Sequence, residues 1–174
     1  GALARSNMPS PRLLTLAALL VGSPAAAASA PCPDGWSEVV AGKCHKLTEE
    51  VGTALECVEL CGSGAALTCI ASAAENAKLA AFVTEQAGGP TLAWLGLYQT
   101  PGSEEPAGGW GACASGAVAD YLNWGEGEPN NWGGGESCAA LNSGDRDGGI
   151  GRWFDAACFR PLRCLCERGA GASP

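Results

Sequence analysis

Ten cysteines and one histidine, His45, constrain this 174-residue chain more than any other feature of it. So many thiols in so short a sequence serve either zinc or a disulfide framework. Structural zinc sites draw on Cys and His at close recurrent spacings such as Cys-x-x-Cys, and the chain has a lone histidine and no such pair. The cysteines therefore predict disulfides and an oxidising compartment. Charge excludes another class. With 10 Lys+Arg against 18 Asp+Glu the net charge is −8, and the basic residues are too few and scattered to neutralise phosphates, so no nucleic-acid partner is expected. Acidic clusters suit cations better.

An export segment agrees with the cysteines. Met8 is followed by Arg12, an apolar run from Leu13 to Val21, then Pro24 and small residues, the build of a secretory signal peptide. The run is far shorter than the about 20 residues that cross a bilayer as a helix, so no membrane anchor is expected. Cleavage near Ala28 leaves residues 1–30 as upstream sequence and signal peptide, 31–168 as one domain and 169–174 as a short tail. Residues 1–30 carry Arg5 and Arg12 and no acid, which leaves 8 basic and 18 acidic side chains and a net charge of −10 on the secreted domain. The acidity belongs to the domain.

Two helices start on the same signal, a hydroxyl followed three residues later by Glu, which satisfies orphan backbone donors reciprocally. Thr53 with Glu56 opens one that runs to Cys61 and stops at Gly62. Ser72 with Glu75 opens another, which carries Leu79, Phe82 and Val83 on one face and stops at Gly88-Gly89. Strand-like runs cover Ser37 to Val40, Leu67 to Ile70, Ala93 to Tyr98, Ser137 to Asn142 and Leu162 to Glu167. From Thr100 to Gly151 the chain is rich in Gly, Pro, Asn and Trp. Trp94, Trp110, Trp124 and Trp132 frame this stretch and argue for a structured loop, because disordered segments are poor in aromatics.

In order along the chain stand Cys32-Pro-Asp-Gly-Trp36 ending at Cys44, Trp94-Leu-Gly-Leu97, and Trp110, Ser115-Gly116, Tyr121 and Asn123-Trp124. Gly127-Glu128-Pro129-Asn130, Glu136-Ser137-Cys138, Trp153-Phe154-Asp155 with Cys158, and Cys166-Glu167 follow. This succession resembles the C-type lectin-like domain in its long form, over about Cys32 to Glu167. The resemblance implies an α+β fold, two helices flanking small antiparallel sheets with a long structured loop, stapled by disulfides. It also implies the pairs Cys32–Cys44, Cys61–Cys166 and Cys138–Cys158. Cys57, Cys69, Cys113 and Cys164 remain. Cys57 and Cys61 are i and i+4 on one helix face, and Cys164 and Cys166 are i and i+2 on one strand face. A Cys57–Cys164 bridge is therefore sterically reasonable and leaves Cys69 for Cys113, with the swapped pairings still open.

Glu128-Pro129-Asn130 carries the chemistry. Ca²⁺ takes 6–8 oxygen ligands, which closely held carboxylates and amides supply. In the family the proline is cis and turns both neighbours toward the metal; Glu136 has the spacing of the next ligand and Asp155 matches the aspartate of the family's Trp-Asn-Asp. The resemblance thus implies Glu128, Asn130, Glu136 and Asp155 as ligands of Ca²⁺ and, through vicinal hydroxyls, of a glycan. Glu-Pro-Asn is the mannose-type order, while Trp132 stands where galactose-type members stack a tryptophan on the sugar. Mannose is favoured over galactose, with Trp132 against the sugar in either case. Phe154 departs from the family's asparagine and removes a ligand, which Asp145, Asp147 or water could replace. Asn131 and Ser137 stand where the family's second calcium site has aspartates, so no metal is expected there.

The function expected is a secreted, extracellular, calcium-dependent lectin, with an oligomer to supply avidity. The alternative is a calcium-independent module of the same fold that binds a protein or surface ligand, which Phe154 favours. Catalysis has no foothold, since His45 sits beside a disulfide cysteine and no serine or free cysteine has an evident base. Trp36, Trp94 and Trp110 read as framework residues.

Overall fold

The computed structural model describes Gly1 and residues 31–145 and 149–171. The apolar run and cleavage point of the export segment, Asp147 and the end of the tail lie outside the described residues. The elements are β1 (Ser37–Val40), β2 (Lys43–Gly52), α1 (Cys57–Cys61), β3 (Ala66–Leu67) and α2 (Ala73–Ala87), then β4 (Leu92–Gln99), β5 (Trp110–Cys113), β6 (Cys138–Asn142), β7 (Trp153–Ala156) and β8 (Leu162–Gly169). The strands join in one sheet of order β1-β2-β8-β4-β6-β7, with β3 on β8 and β5 on β4. Every pairing is antiparallel except β4 with β8, where Ala93 faces Arg163 and Trp94 faces Cys164. This parallel joint makes the sheet mixed and continuous. It also seats the last strand beside β2, so the two ends of the domain meet.

The core lies on both faces of that sheet. Along β4, Ala93, Leu95 and Leu97 pack with α2 residues Leu79, Phe82 and Val83, while Trp94 faces a second cluster with Cys57, Cys61, Leu67 and Ala140. Strand alternation explains the division, since neighbouring side chains point to opposite faces. The same alternation runs through β8, with Leu165 on the α2 side and Cys164 and Cys166 on the other. Central strands covered on both faces read as continuous apolar runs, as Trp94-Leu-Gly-Leu97 does. Trp94 also donates its indole N–H to the carbonyls of Gly52 at 3.0 Å and Arg160 at 3.2 Å, which ties β4 to both flanking segments.

The helix starts follow the local chemistry. Thr53 Oγ1 accepts the Glu56 amide and Glu56 Oε2 accepts the Thr53 amide, at 3.1 and 2.8 Å. A turn fills residues 54–56, so α1 begins only at Cys57. Five residues are too few to hold a helix by themselves, and Cys57–Cys164 and Cys61–Cys166 clamp α1 to β8. At α2, Ser72 Oγ accepts the Glu75 amide at 3.2 Å, but the Glu75 carboxylate reaches past Ser72 to the Ala71 amide at 2.9 Å. Gly88, left-handed at φ 71°, ends the helix.

The remaining disulfides are Cys32–Cys44, Cys69–Cys113 and Cys138–Cys158, and no cysteine is free. β2, β5 and β7 had no clear signal. β2 is Lys-Cys-His-Lys-Leu-Thr-Glu-Glu-Val-Gly, too polar to read as a strand, and exists because β1 and β8 both pair with it. The run expected over Leu67 to Ile70 pairs as a strand only through Leu67. Trp36 is half-buried, with Lys46 Nζ and the Arg168 guanidinium 5.1 and 5.7 Å from its ring centre. Among the described residues no helix is long and apolar enough to cross a membrane.

Candidate functional site

Aromatic packing positions the long segment between β5 and β6. Trp110 meets Trp124 edge-on at 4.8 Å, and Trp153 is met edge-on by Trp124 at 6.1 Å and by Tyr121 at 5.5 Å. Trp153 anchors the group, fully buried and donating its indole N–H to Asn76 Oδ1 at 2.7 Å. Residues 123–125 then lie along β7: the Trp153 amide donates to the Asn123 carbonyl at 2.9 Å and the Gly125 amide to the Trp153 carbonyl at 2.8 Å. This backbone pairing delivers Glu128-Pro129-Asn130, with its cis Glu128–Pro129 peptide, to the end of β7 that carries Asp155.

Asp155 is the hub. It is 3% exposed, and its two carboxylate oxygens accept the backbone amides of Asn130 at 2.9 Å and Asn131 at 2.7 Å. Asn130 Nδ2 donates to Glu128 Oε1 at 2.8 Å. The loop then returns: Asn131 Oδ1 accepts the Glu136 amide at 3.0 Å, and Glu136 Oε2 accepts the Trp132 amide at 2.8 Å. That tight return needs glycine. Asn131 has φ 47°, and Gly133, Gly134 and Gly135 all have φ between 75° and 89°, a region costly for residues with a Cβ. One network thus joins Glu128, Asn130, Glu136 and Asp155. Trp132 projects from its rim, 81% exposed.

The electrostatics leave negative charge uncompensated. Glu128 Oε2 is buried and has no hydrogen-bond partner. Burial, then the neighbouring Asp155 carboxylate, close enough to share a proton with Glu128 as well as to repel its charge, and then Glu136 push the Glu128 pKa up to about 7. Burial also raises Glu136, against the pull of the Trp132 amide and the Arg160 guanidinium. A cation between these groups would relieve both effects, and oxygen donors of this kind are those a hard divalent cation takes. The fit is incomplete on one side. Phe154 packs with Trp94 and Ala140 in the second core cluster, whereas Trp153 packs in the first. It therefore contributes bulk to the core and no oxygen to the site. Asp145 is exposed and lines a separate cleft with Pro90, Thr91, Asn142 and Arg160.

Sequence reasoning weighed Asn131 only for a second calcium site and missed its linking role, in which its side chain and amide join Glu136 to Asp155. The available signal was an asparagine just before Trp132 and three glycines, since Asn tolerates positive φ better than other side chains.

Known proteins bear on this geometry. Residues 51–168 match the family model described as Lectin C-type domain. Ladderlectin of Oncorhynchus mykiss is 32% identical over 131 residues, which are 73% of this chain and 62% of that protein. Asialoglycoprotein receptor 1 of Rattus norvegicus is 28% identical over 145 residues, 80% of this chain and 45% of the receptor. The chain therefore spans less than two thirds of the length of these relatives. Among solved structures, the mouse scavenger receptor C-type lectin carbohydrate-recognition domain superposes with a TM-score of 0.62 at 26% identity, over 82% of this chain and all of that one.

Proposed function

The chain belongs to the C-type lectin domain family, and on that footing we propose that it is a secreted protein that binds mannose-type sugars through Ca²⁺. One observation carries this: Glu128 Oε2, buried and unpartnered, stands in a hydrogen-bonded group with Asn130, Asp155 and Glu136. Buried polar atoms without partners are rare, and a cation supplies what this one lacks. Glu128, Asn130, Glu136 and Asp155 hold the Ca²⁺. The bound ion offers coordination positions to vicinal sugar hydroxyls. The chain's own residues do the rest: Asn130 Nδ2 donates and the carboxylates of Glu128 and Glu136 accept from those hydroxyls, and the order Glu-Pro-Asn selects the equatorial pair of mannose over galactose. Trp132 offers an exposed ring to the apolar face of the sugar. Its relatives by sequence are lectins, and no catalytic role is assigned.

A second reading, a calcium-independent module that binds a protein or surface ligand, has its own support. Phe154 removes an oxygen donor, and both Asp155 oxygens already accept backbone amides. Calorimetric titration with Ca²⁺ and then with methyl mannoside separates the two. The lectin reading expects calcium binding below millimolar concentration, sugar binding only afterwards, and loss of both in Glu128→Gln. A chain that takes up no calcium at millimolar levels removes this reading and leaves the second.

A further inference from the structure

A separate polar cluster lies between β2, α2 and β8, none of which carries a residue of the Glu128 group. His45 on β2 is 0% exposed, and neither ring nitrogen has a partner at hydrogen-bond geometry. Its Nε2 faces Glu167 Oε2 of β8 at 3.9 Å, beyond hydrogen-bond range. Glu75 of α2 closes the third side. One ligand atom from each of the three lies within 4.8 Å of the other two, the sole such triple of His, Cys, Asp or Glu among the described residues. Lys43 Nζ now supplies positive charge, 3.1 Å from Glu75 Oε1 and 3.4 Å from Glu167 Oε2. An ammonium neutralises the two carboxylates. It only donates, so it offers no acceptor to the N–H of the neutral imidazole.

We propose that His45, Glu75 and Glu167 form a Zn²⁺ site in which the metal exchanges with the Lys43 ammonium. One imidazole nitrogen and two carboxylate oxygens, completed by water, make the four-coordinate N/O set that zinc accepts. Ca²⁺ prefers 6–8 oxygens, so a three-ligand cage with a nitrogen disfavours it. Zinc–ligand distances of about 2.0–2.2 Å ask each side chain to move inward by less than about 1 Å. The most exposed member, Lys43, has somewhere to go: it borders an open cleft of about 440 Å³ with Ala66, Ser115 and Glu167. Glu75 Oε2 stays on the Ala71 amide, so Oε1 is the oxygen that changes partner. Lys43 is thus a built-in competitor, and the bound metal ties the first hairpin to α2 and to the last strand.

The test is a calorimetric titration of the disulfide-bonded chain with ZnCl2 in millimolar Ca²⁺, which supplies oxygen-only sites with the ion they prefer. One zinc per chain is expected, with affinity raised at least about tenfold in Lys43→Met, since a unit positive charge leaves the metal's own place. Binding is lost in His45→Asn and unchanged in Glu128→Gln. His45 is the only histidine, so its ring ¹⁵N resonances report ligation in the unmutated chain, whatever the variants do to folding. The proposal is overturned if Lys43→Met binds no zinc below about 1 mM, if zinc binds with the His45 resonances unmoved, or if millimolar Ca²⁺ displaces it.

Discussion

Asp155 is a buried carboxylate and Glu128 a half-buried one, and their oxygens meet different fates. Asp155 spends its two oxygens on the amides of Asn130 and Asn131, which hold the loop against β7, while Glu128 keeps one oxygen unpartnered. Removing Asp155 should therefore damage loop and ligand binding together, whereas Trp132 separates the two. Its ring is exposed, and a side chain that buries nothing contributes little to stability. Trp132→Ala is expected to leave the unfolding midpoint and calcium affinity unchanged and to weaken sugar binding by about 0.5–1.5 kcal/mol, the scale of an aromatic stacking contact; sugar titration in saturating Ca²⁺ measures it. Glu128, Asn130, Glu136, Asp155 and Trp132 could all be named from the sequence, because each stands in a short motif. His45, Glu75 and Glu167 could not be named as a group. They lie 30 and 92 residues apart along the chain, and only the pairing of β2 with β8 and the docking of α2 bring them together.

At the scale of elements, β4 shows how closely the sheet is built. A Cβ on Gly96 would collide with the Leu67 carbonyl, and the Gly96 amide and carbonyl bond Thr68 and Ala114 at 2.8 and 2.7 Å. Backbone on backbone leaves nothing flexible to yield. Gly96→Ala should cost about 1–3 kcal/mol in denaturant unfolding, the usual scale of overpacking, with the exposed Gly169→Ala as a control for a glycine whose surroundings are open and whose φ is not positive. At the start of α1 the capping carboxylate gives a pH signature. The Thr53 amide and hydroxyl lower the Glu56 pKa below its ordinary value. A depressed folded-state pKa means stability that is present above the unfolded value and lost as pH falls through the folded one. Between about pH 6 and about pH 3 the chain should therefore lose more stability than Glu56→Gln, which accepts the same bond without titrating. Both helix starts were legible in Thr53-x-x-Glu56 and Ser72-x-x-Glu75, because capping is local. The strands β2, β5 and β7 were not, since each is polar or very short and becomes a strand only through its neighbour's hydrogen bonds.

The whole molecule is a sheet covered on both faces, with α2 on one and α1 on the other. Since α1 is only five residues long, covalent clamps do the work that helix length does for α2. Removing one clamp by Cys57→Ala with Cys164→Ala opens a link across 107 residues. The cost should be about 2–4 kcal/mol in denaturant unfolding, with the rest of the fold kept, because Cys61–Cys166 still holds the same helix to the same strand. The cysteine count and the motif order determined the family, an α+β architecture and a disulfide framework, since each rests on residue types at local spacings. They also picked out Glu128, Asn130, Glu136 and Asp155, which the fold gathers into one hydrogen-bonded group. Tertiary structure alone decided that the strands form one mixed sheet, because the β4–β8 joint pairs segments 70 residues apart in the chain. It alone selected Cys57–Cys164 and Cys69–Cys113 among the pairings that spacing allowed. It also turned Phe154 into the core and left one Glu128 oxygen unpartnered. Burial and hydrogen-bond satisfaction depend on what other parts of the chain bring to the same place, and no local pattern encodes that.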